Sequence, residues 1–289
     1  MTRRSGVARA TFAVILARGI GTRLRADDGT LLTIAQEEAA ARGSKGLVPI
    51  HGRPLLDYLL HELAEGGVRD VVFVVAPDDE ALRARYDDEG QPARISVRYV
   101  TQGEPRGTAH ALLAAREPVE APAGAPRDAS GARHFLVCNA DNLYPAASIE
   151  ALVGLSGPGL AAFDADALCA DGALDRERVR QFALLDISPD DILRDIVEKP
   201  AATHPLAMAQ AQWVSMNLWR FTDAIFAHCA SVAPSPRGEL ELVDAVRAAI
   251  AAGDQTFSVI RQRALVHDLS RRSDVAVLER QLAGRVPRP

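Results

Sequence analysis

At 289 residues, with 48% hydrophobic and 25% charged side chains, the chain has the composition of an ordinary globular protein that can bury a core without staples. A formal net charge of −5 excludes the broad basic footprint of a nucleic-acid binder, so an enzyme of this charge that handles phosphates must concentrate its cations locally. Cys138, Cys169 and Cys229, odd in number and far apart, point to reduced thiols in a cytoplasm rather than a disulfide framework.

Arg3, Arg4 and Arg9 precede an apolar run at 11–17, a superficial likeness to a secretory leader. That run ends at Arg18 inside a glycine loop, and no segment approaches the roughly 20 apolar residues of a membrane span. Short apolar runs predict strands at 12–17, 71–75, 95–100, 135–138 and 160–163. Amphipathic segments between them predict helices at 55–65, 79–86, 108–115 and 148–155. Pro54 suits a first helical turn, and Gly66-Gly67 a helix stop. The first half thus reads as β-loop-α units that build a mostly parallel sheet.

Further along, 182–186 and 192–197 flank Ser188-Pro189-Asp190-Asp191, the pattern of a hairpin. A strand at 213–221 follows, then helices near 223–229 and 240–252. A last strand pair at 257–260 and 264–267 precedes a closing helix near 273–282. The Pro/Ala/Gly-rich stretch 118–132 reads as a mobile surface loop. With neither a repeat nor a linker in view, 1–289 reads as one domain.

Leu16-Ala17-Arg18-Gly19-Ile20-Gly21-Thr22-Arg23-Leu24 follows the first strand directly. Glycines let successive backbone N–H groups approach an anion, and in open α/β sheets ligands bind at the carboxyl ends of strands. Arg23 adds a charge whose fork suits phosphate. The loop is not a P-loop, because no Gly-Lys-Ser/Thr ends it. Taken alone it is equally a plain glycine turn.

It does not stand alone. Lys45-Gly46-Leu47-Val48-Pro49-Ile50 leads into Gly52-Arg53-Pro54-Leu55-Leu56. Gln102 precedes Gly107-Thr108-Ala109, Asn139-Ala140-Asp141-Asn142 ends a strand, and Glu198-Lys199-Pro200 closes the hairpin. The stretch Arg237-Gly238-Glu239-Leu240-Glu241-Leu242-Val243-Asp244 follows. In this order the motifs resemble those of the sugar-1-phosphate nucleotidyltransferases, or NDP-sugar pyrophosphorylases, especially the glucose-1-phosphate thymidylyltransferases. The matches run from residue 12 to about residue 282.

The resemblance implies a Rossmann-like three-layer α/β/α nucleotide-diphospho-sugar transferase fold with a mixed, mostly parallel sheet. Residues 11–145 would form a nucleotide-binding half and 146–289 a sugar-phosphate-binding half. It implies a cytoplasmic enzyme making an NDP-sugar and pyrophosphate from a nucleoside triphosphate, dTTP or UTP, and a hexose 1-phosphate. Nucleotide binding would fall to Leu16, Ala17, Arg18, Gly19, Gly21, Thr22, Gln102, Gly107 and Thr108. Catalytic cations would be Arg23 and Lys45. Asn139, Glu198, Lys199, Asn217 and Arg237 would bind the sugar phosphate, and Asp141 and Asp268 would hold Mg²⁺. A glutamine amide suits a pyrimidine edge, since it offers both an acceptor and donors. Relatives are often dimers or tetramers, so a homo-oligomer is the expectation; neither nucleic acid nor membrane is an expected partner.

The chain also departs from the pattern. Arg18 stands where the family has a glycine, Ala140 replaces another, and His267 stands where an aromatic is common. The connection from Arg23 to Lys45 is long, and its segment 33–42 reads as an extra helix forming a lid or an interface. Two other readings stay open. One is transfer from CTP, GTP or ATP to a non-glucose or non-sugar phosphate. The other is a catalytically silent regulatory homologue that binds nucleotide-sugar, although Arg23, Lys45, Asp141, Lys199 and Asp268 are all present.

Overall fold

The computed structural model describes residues 9–19 and 21–289. Arg3, Arg4 and Ile20 of the glycine loop therefore lie outside the described residues. The run that resembled a leader is an interior strand, β1 (Phe12–Leu16). Phe12 and Val14 are wholly buried in one core, Ala13 and Ile15 in another on the opposite face. A strand buried on both faces reads as an unbroken apolar run, which is why Phe-Ala-Val-Ile-Leu shows no alternation.

Strands β2 (Asp70–Val75), β3 (Ser96–Thr101) and β4 (His134–Asn139) continue the sheet in parallel. Then come β5 (Gly159–Asp164), β6 (Ala183–Ile187), β7 (Leu193–Val197), β8 (Trp213–Thr222) and β9 (Ser258–Gln262). The order is β7-β6-β8-β4-β1-β2-β3, with β5 joined to β8 and β9. The long β8 runs antiparallel to β4, β5 and β6, and so splices the second half of the chain onto the first. The expected hairpin is β6–β7.

The helices used below are α1 (Thr22–Arg25), α2 (Ile34–Arg42), α3 (Leu55–Glu65), α4 (Thr108–Ala114), α5 (Ala146–Val153), α6 (Ile225–Ser231), α7 (Leu242–Ala252) and α8 (Ser273–Gln281). Apolar residues of α3, α5 and α8 pack on one face of the sheet, those of α4, α6 and α7 on the other. This is the expected three-layer arrangement. Among the described residues no helix is long and apolar enough to cross a membrane.

Several expectations need correction. The segments at 257–260 and 264–267 are not partners. β9 runs parallel to β5, whereas His267-Asp268 forms a short ribbon with Asn142-Leu143. Apolar periodicity locates a strand but does not name its neighbour. The stretch 118–132 is not a free loop: Pro118 sits early in a helical turn (Arg116–Glu120), where proline is tolerated. Arg133 then pins the stretch by donating to the Glu120 carbonyl at 2.7 Å. Pro54 precedes α3 rather than starting it, and the helix at 80–83 widens into a π-helical turn at Ala84–Glu89. The inserted helix is present as α2, its start fixed by a capping box between Thr33 and Gln36.

Candidate active site

From β1 the chain builds β2 and β3 on one side, then returns to place β4 on the other. The carboxyl ends of β1 and β4 therefore flank a topological switch point, where open α/β sheets bind ligands. The Ala140 N–H donates to the Leu16 carbonyl at 3.1 Å, which ties the two strand ends together. A cavity of about 330 Å³ opens here. It is lined by ten of the expected residues: Leu16, Ala17, Arg18, Gly19, Lys45, Gln102, Gly107, Thr108, Asn139 and Asp141. Asp79 and Glu239, to which the motifs gave no role, line it too.

Gly21 and Thr22 lie just outside that lining, at the start of α1. Gly21 has φ +62, and a Cβ there would come within 3.0 Å of the Gly43 backbone, so only glycine fits easily. Gly43 ends the inserted helix α2, which therefore packs directly against the glycine loop. More contacts brace α1. Arg25 donates to the Arg42 carbonyl at 2.8 Å, and the buried Arg272 donates to the Leu24 carbonyl at 3.2 Å while forking onto Glu37 at 2.7 and 2.8 Å. From α2, Gln36 reaches Glu279 of α8 at 2.8 Å. Arg23 itself is exposed.

At the end of β4, Lys45 Nζ lies 2.6 Å from Asp141 Oδ2. Burial works to lower the Lys45 pKa, and Arg23 adds to that, but the charge and hydrogen bond of Asp141 outweigh both and hold it above its usual value. Arg23 thus stands within electrostatic reach of Lys45. Asp268 belongs to the same cluster. The Leu269 N–H donates to the Asp141 carbonyl at 2.9 Å, and the Asp268 carboxyl is pushed up by burial and by Asp141, against Arg178 and Lys45. Asn142 donates to Asp268 Oδ1 at 2.9 Å, and Ser270 to Oδ2 at 3.0 Å. Arg178 also bonds Oδ2 and pairs with Asp274 at 2.8 Å. Asp268 does not cap α8. No side chain caps that helix; Asp274 in its first turn instead ties down the preceding segment, accepting from the N–H groups of Ser270 and Arg271 at 2.8 and 2.7 Å.

Near the base of α4, Gln102 is 3% exposed, not a loose loop residue. Its Nε2 donates to the Gly107 carbonyl at 3.2 Å and to His110 Nδ1 at 3.0 Å. Gly107 has φ +106, and a Cβ there would lie 2.5 Å from the Leu240 carbonyl oxygen, so any side chain would force the two loops apart. The Thr108 hydroxyl accepts from the Leu242 N–H at 2.8 Å and so serves the start of α7. Asn139 makes a long contact to Asn142 at 3.4 Å.

Glu198, Lys199, Asn217 and Arg237 are not in the cavity lining. Three of them form their own cluster. Burial raises the Glu198 pKa, and the charges of Lys199 and Arg237 oppose it. Lys199 Nζ lies 3.8 Å from Glu198 Oε1, and Arg237 pairs with Glu241 at 2.7 Å. Glu239 joins this cluster's segment to the cavity wall. Asn217 has φ +57 inside the register shift of β8 between Ser215 and Trp219. The preceding Met216 carbonyl accepts from the Tyr144 hydroxyl at 2.7 Å.

Sequence reasoning missed Arg178, Asp274, Tyr144 and His110. Arg178 is hidden in the charged run Arg176-Glu177-Arg178-Val179-Arg180, which reads as solvated surface. Tyr144 and Glu239 lie within or just beyond motifs already noted and could have been found there.

A family model for nucleotidyl transferase matches residues 12–269. Glucose-1-phosphate thymidylyltransferase of Streptomyces griseus is 30% identical over 249 residues, covering 86% of this chain and 59% of that protein. UTP–glucose-1-phosphate uridylyltransferase AglF of Haloferax volcanii is 27% identical over 249 residues, 86% of this chain and 87% of that one. The chain spans less than two thirds of the Streptomyces protein's length. Among solved structures, UDP-glucose pyrophosphorylase complexed with UDP-glucose shares the fold: its TM-score is 0.71 at 18% identity, over 96% of this chain and 100% of that one.

Proposed function

Because the chain belongs to the nucleotidyl transferase family, we propose that it makes an NDP-sugar and pyrophosphate from dTTP or UTP and a hexose 1-phosphate. The observation that carries this reading is the Lys45–Asp141 pair at 2.6 Å, set beside the glycine loop at the switch point. A sugar-phosphate oxygen would attack the α-phosphorus, the bond to the β-phosphate bridging oxygen would break, and pyrophosphate would leave. The attacking phosphate is already ionised, so no general base is required. Transfer of this kind depends on positioning and charge stabilisation.

Residues 11–145 would supply the nucleotide contacts. The loop around Gly19 and Gly21 would cradle the phosphates, Arg23 would steady the departing pyrophosphate, and Gln102 and Gly107 would meet the base. Lys45 would exchange its Asp141 partner for a phosphate oxygen. From 146–289, Lys199 and Arg237 would hold the sugar phosphate, and Glu198 would accept hydrogen bonds from sugar hydroxyls, as Asn217 at the β8 bulge could by its amide.

The donor set suits Mg²⁺. Asp141 and Asp268 interact electrostatically, and both offer hard carboxylate oxygens. Two carboxylates completed by phosphate oxygens and waters are the usual arrangement for this cation. When bound, it would supply neutralisation of phosphate charge. Cys138, Cys169 and Cys229 are free thiols, in keeping with the cytoplasm, where nucleoside triphosphates are made and used.

Pyrophosphate release measured over a matrix of triphosphates and sugar phosphates, with and without Mg²⁺, tests the proposal. Turnover should require both substrates and the cation. Asp141→Asn should lower it by orders of magnitude while leaving the fold intact. Near-normal turnover in that variant would remove the metal assignment. A matrix with no turnover anywhere would favour a silent homologue.

A further inference from the structure

Arg18 occupies a position where the family pattern has a glycine, and its side chain has a defined place. Nη2 donates to the Gly103 carbonyl at 2.8 Å, so the guanidinium spans from the loop after β1 to the loop after β3. Nε and Nη1 are shielded from water and have no hydrogen-bond partner. Shielded donors on a charged group are costly to leave unmade, and these belong to a residue that lines the cavity. Gly103 follows Gln102 in the chain, and Arg18 and Gln102 both line the cavity.

The orientation of that amide follows from its partners. The Gly107 carbonyl can only accept, so the Gln102 nitrogen must face it, 3.2 Å away, and His110 Nδ1 takes the same nitrogen's second proton at 3.0 Å. With both amide protons used, Gln102 has only its Oε1 acceptor to offer a ligand. The wall of the same cavity also holds Arg18 with its unpaired donors.

We infer that Arg18 reads the nucleobase together with Gln102, donating to the O4 carbonyl of uracil or thymine, where cytosine carries an amino group, while Gln102 Oε1 accepts from the adjacent N3–H. The inference rests on the reading that this cavity takes a nucleoside triphosphate. Uracil and thymine present an N–H flanked by carbonyl oxygens, which matches one acceptor next to charged donors. Cytosine and adenine present a ring-nitrogen acceptor beside an amino donor, which sets acceptor against acceptor and donor against donor. Guanine presents a similar N–H and carbonyl, so the informative contrast is with cytosine and adenine. A donor from a cation makes a stronger bond to a carbonyl than a neutral amide does, so Arg18 should carry much of the discrimination.

Equilibrium binding of UTP, dTTP, CTP, ATP and pyrophosphate, measured by calorimetry without sugar phosphate, tests this in the wild type, Arg18→Met and Arg18→Lys. The wild type should prefer UTP and dTTP. Arg18→Met should weaken those two by roughly tenfold to a hundredfold and leave CTP, ATP and pyrophosphate little changed, so that the preference collapses. Arg18→Lys keeps the charge but not the fork and should restore only part of it. Thermal melts check that the variants remain folded. An equal loss for all four triphosphates and pyrophosphate would make Arg18 a phosphate contact and overturn the inference. Unchanged binding would reduce Arg18 to a tie between loops and would overturn it equally. A wild type that binds no triphosphate would overturn the proposed function, and this inference with it.

Discussion

Replacing Arg178 with Met keeps the length of the side chain and removes its charge from between two buried carboxylates. Arg178 and Asp268 are each 8% exposed, and Asp274 is 7% exposed. Arg178 bonds both carboxylates and also donates to the Asp268 carbonyl at 3.0 Å. Without it, each carboxylate must stay ionised in a poorly hydrated site or take up a proton. Protonating an ordinary aspartate at pH 7 costs about 4 kcal/mol, which caps the penalty per group. The remaining bonds from Asn142, Ser270 and Arg271 hold it below that cap. Removing one partner of a buried ion pair typically costs about 3–5 kcal/mol, and we expect that range here. For a protein of this size it corresponds to a fall in Tm of about 6–20 °C.

The pH dependence has a definite sign. Burial already raises the Asp268 carboxyl, and losing Arg178 raises it further. A raised carboxyl costs stability at pH values above its folded pKa, and the cost disappears as protonation sets in, so the gap from wild type should narrow as pH falls. A divalent cation should replace part of the missing charge, so Mg²⁺ should raise the variant's Tm more than the wild type's. Melting curves at several pH values, with and without Mg²⁺, measure all three effects. A variant within about 2 °C of wild type at pH 7 would refute the reasoning, because it would mean that water already serves these carboxylates.

Arg23→Ala should chiefly impair triphosphate use and Lys199→Ala sugar-phosphate use, each by roughly ten- to a hundredfold in kcat/KM for the affected substrate. Equal impairment toward both substrates would show that the cations act only in the shared transition state. Burial, with help from Arg285, pushes the His267 pKa down to about 4. Its neutral form therefore contributes stability above the ordinary histidine pKa of about 6.5, and up to about 3 kcal/mol is lost as pH falls from there through 4. His267→Gln should flatten that part of the stability profile, and an unchanged profile would assign acid sensitivity elsewhere. Burial pushes the thiols of Cys138 and Cys229 up to about 12, while Cys169 is partly exposed. A chromogenic disulfide reagent should label one thiol in the native protein and all three in urea. Rapid labelling of all three without urea would contradict the packing.

The strands of the first half were legible to within a residue or two, because a strand buried on both faces leaves an unmistakable apolar run. β1, β2 and β4 are of this kind. The pairing of β9 was not legible, since the same apolar pattern suits any neighbour. Motif order in the sequence anticipated that Lys45 and Asp141 would belong to one site, and the fold brings them to 2.6 Å. It could not anticipate Arg178, which joins Asp268 and Asp274 across about 90 residues and has no local signature. The inserted segment was legible as a helix, but its capping box and what it packs against were not.

The packing of α2 has an energetic consequence. Loops that hold phosphate often become ordered only when ligand arrives, and each binding event then carries the entropy cost of that ordering. Here Gly43, Arg42, Glu37 and Arg272 fix α1 through contacts made at folding, so the conformational restriction precedes the encounter. If the loop holds the triphosphate as proposed, affinity for it is distributed over residues that never touch it. Linkage makes the relation mutual: a ligand that tightens α1 must also suppress opening of α8, through Gln36 and Glu279. The C-terminal helix would in this sense be a remote part of the proposed nucleotide site. On that proposal, a substitution at Glu279 or Glu37 would alter how long a nucleotide stays bound while the cavity walls remain as they were.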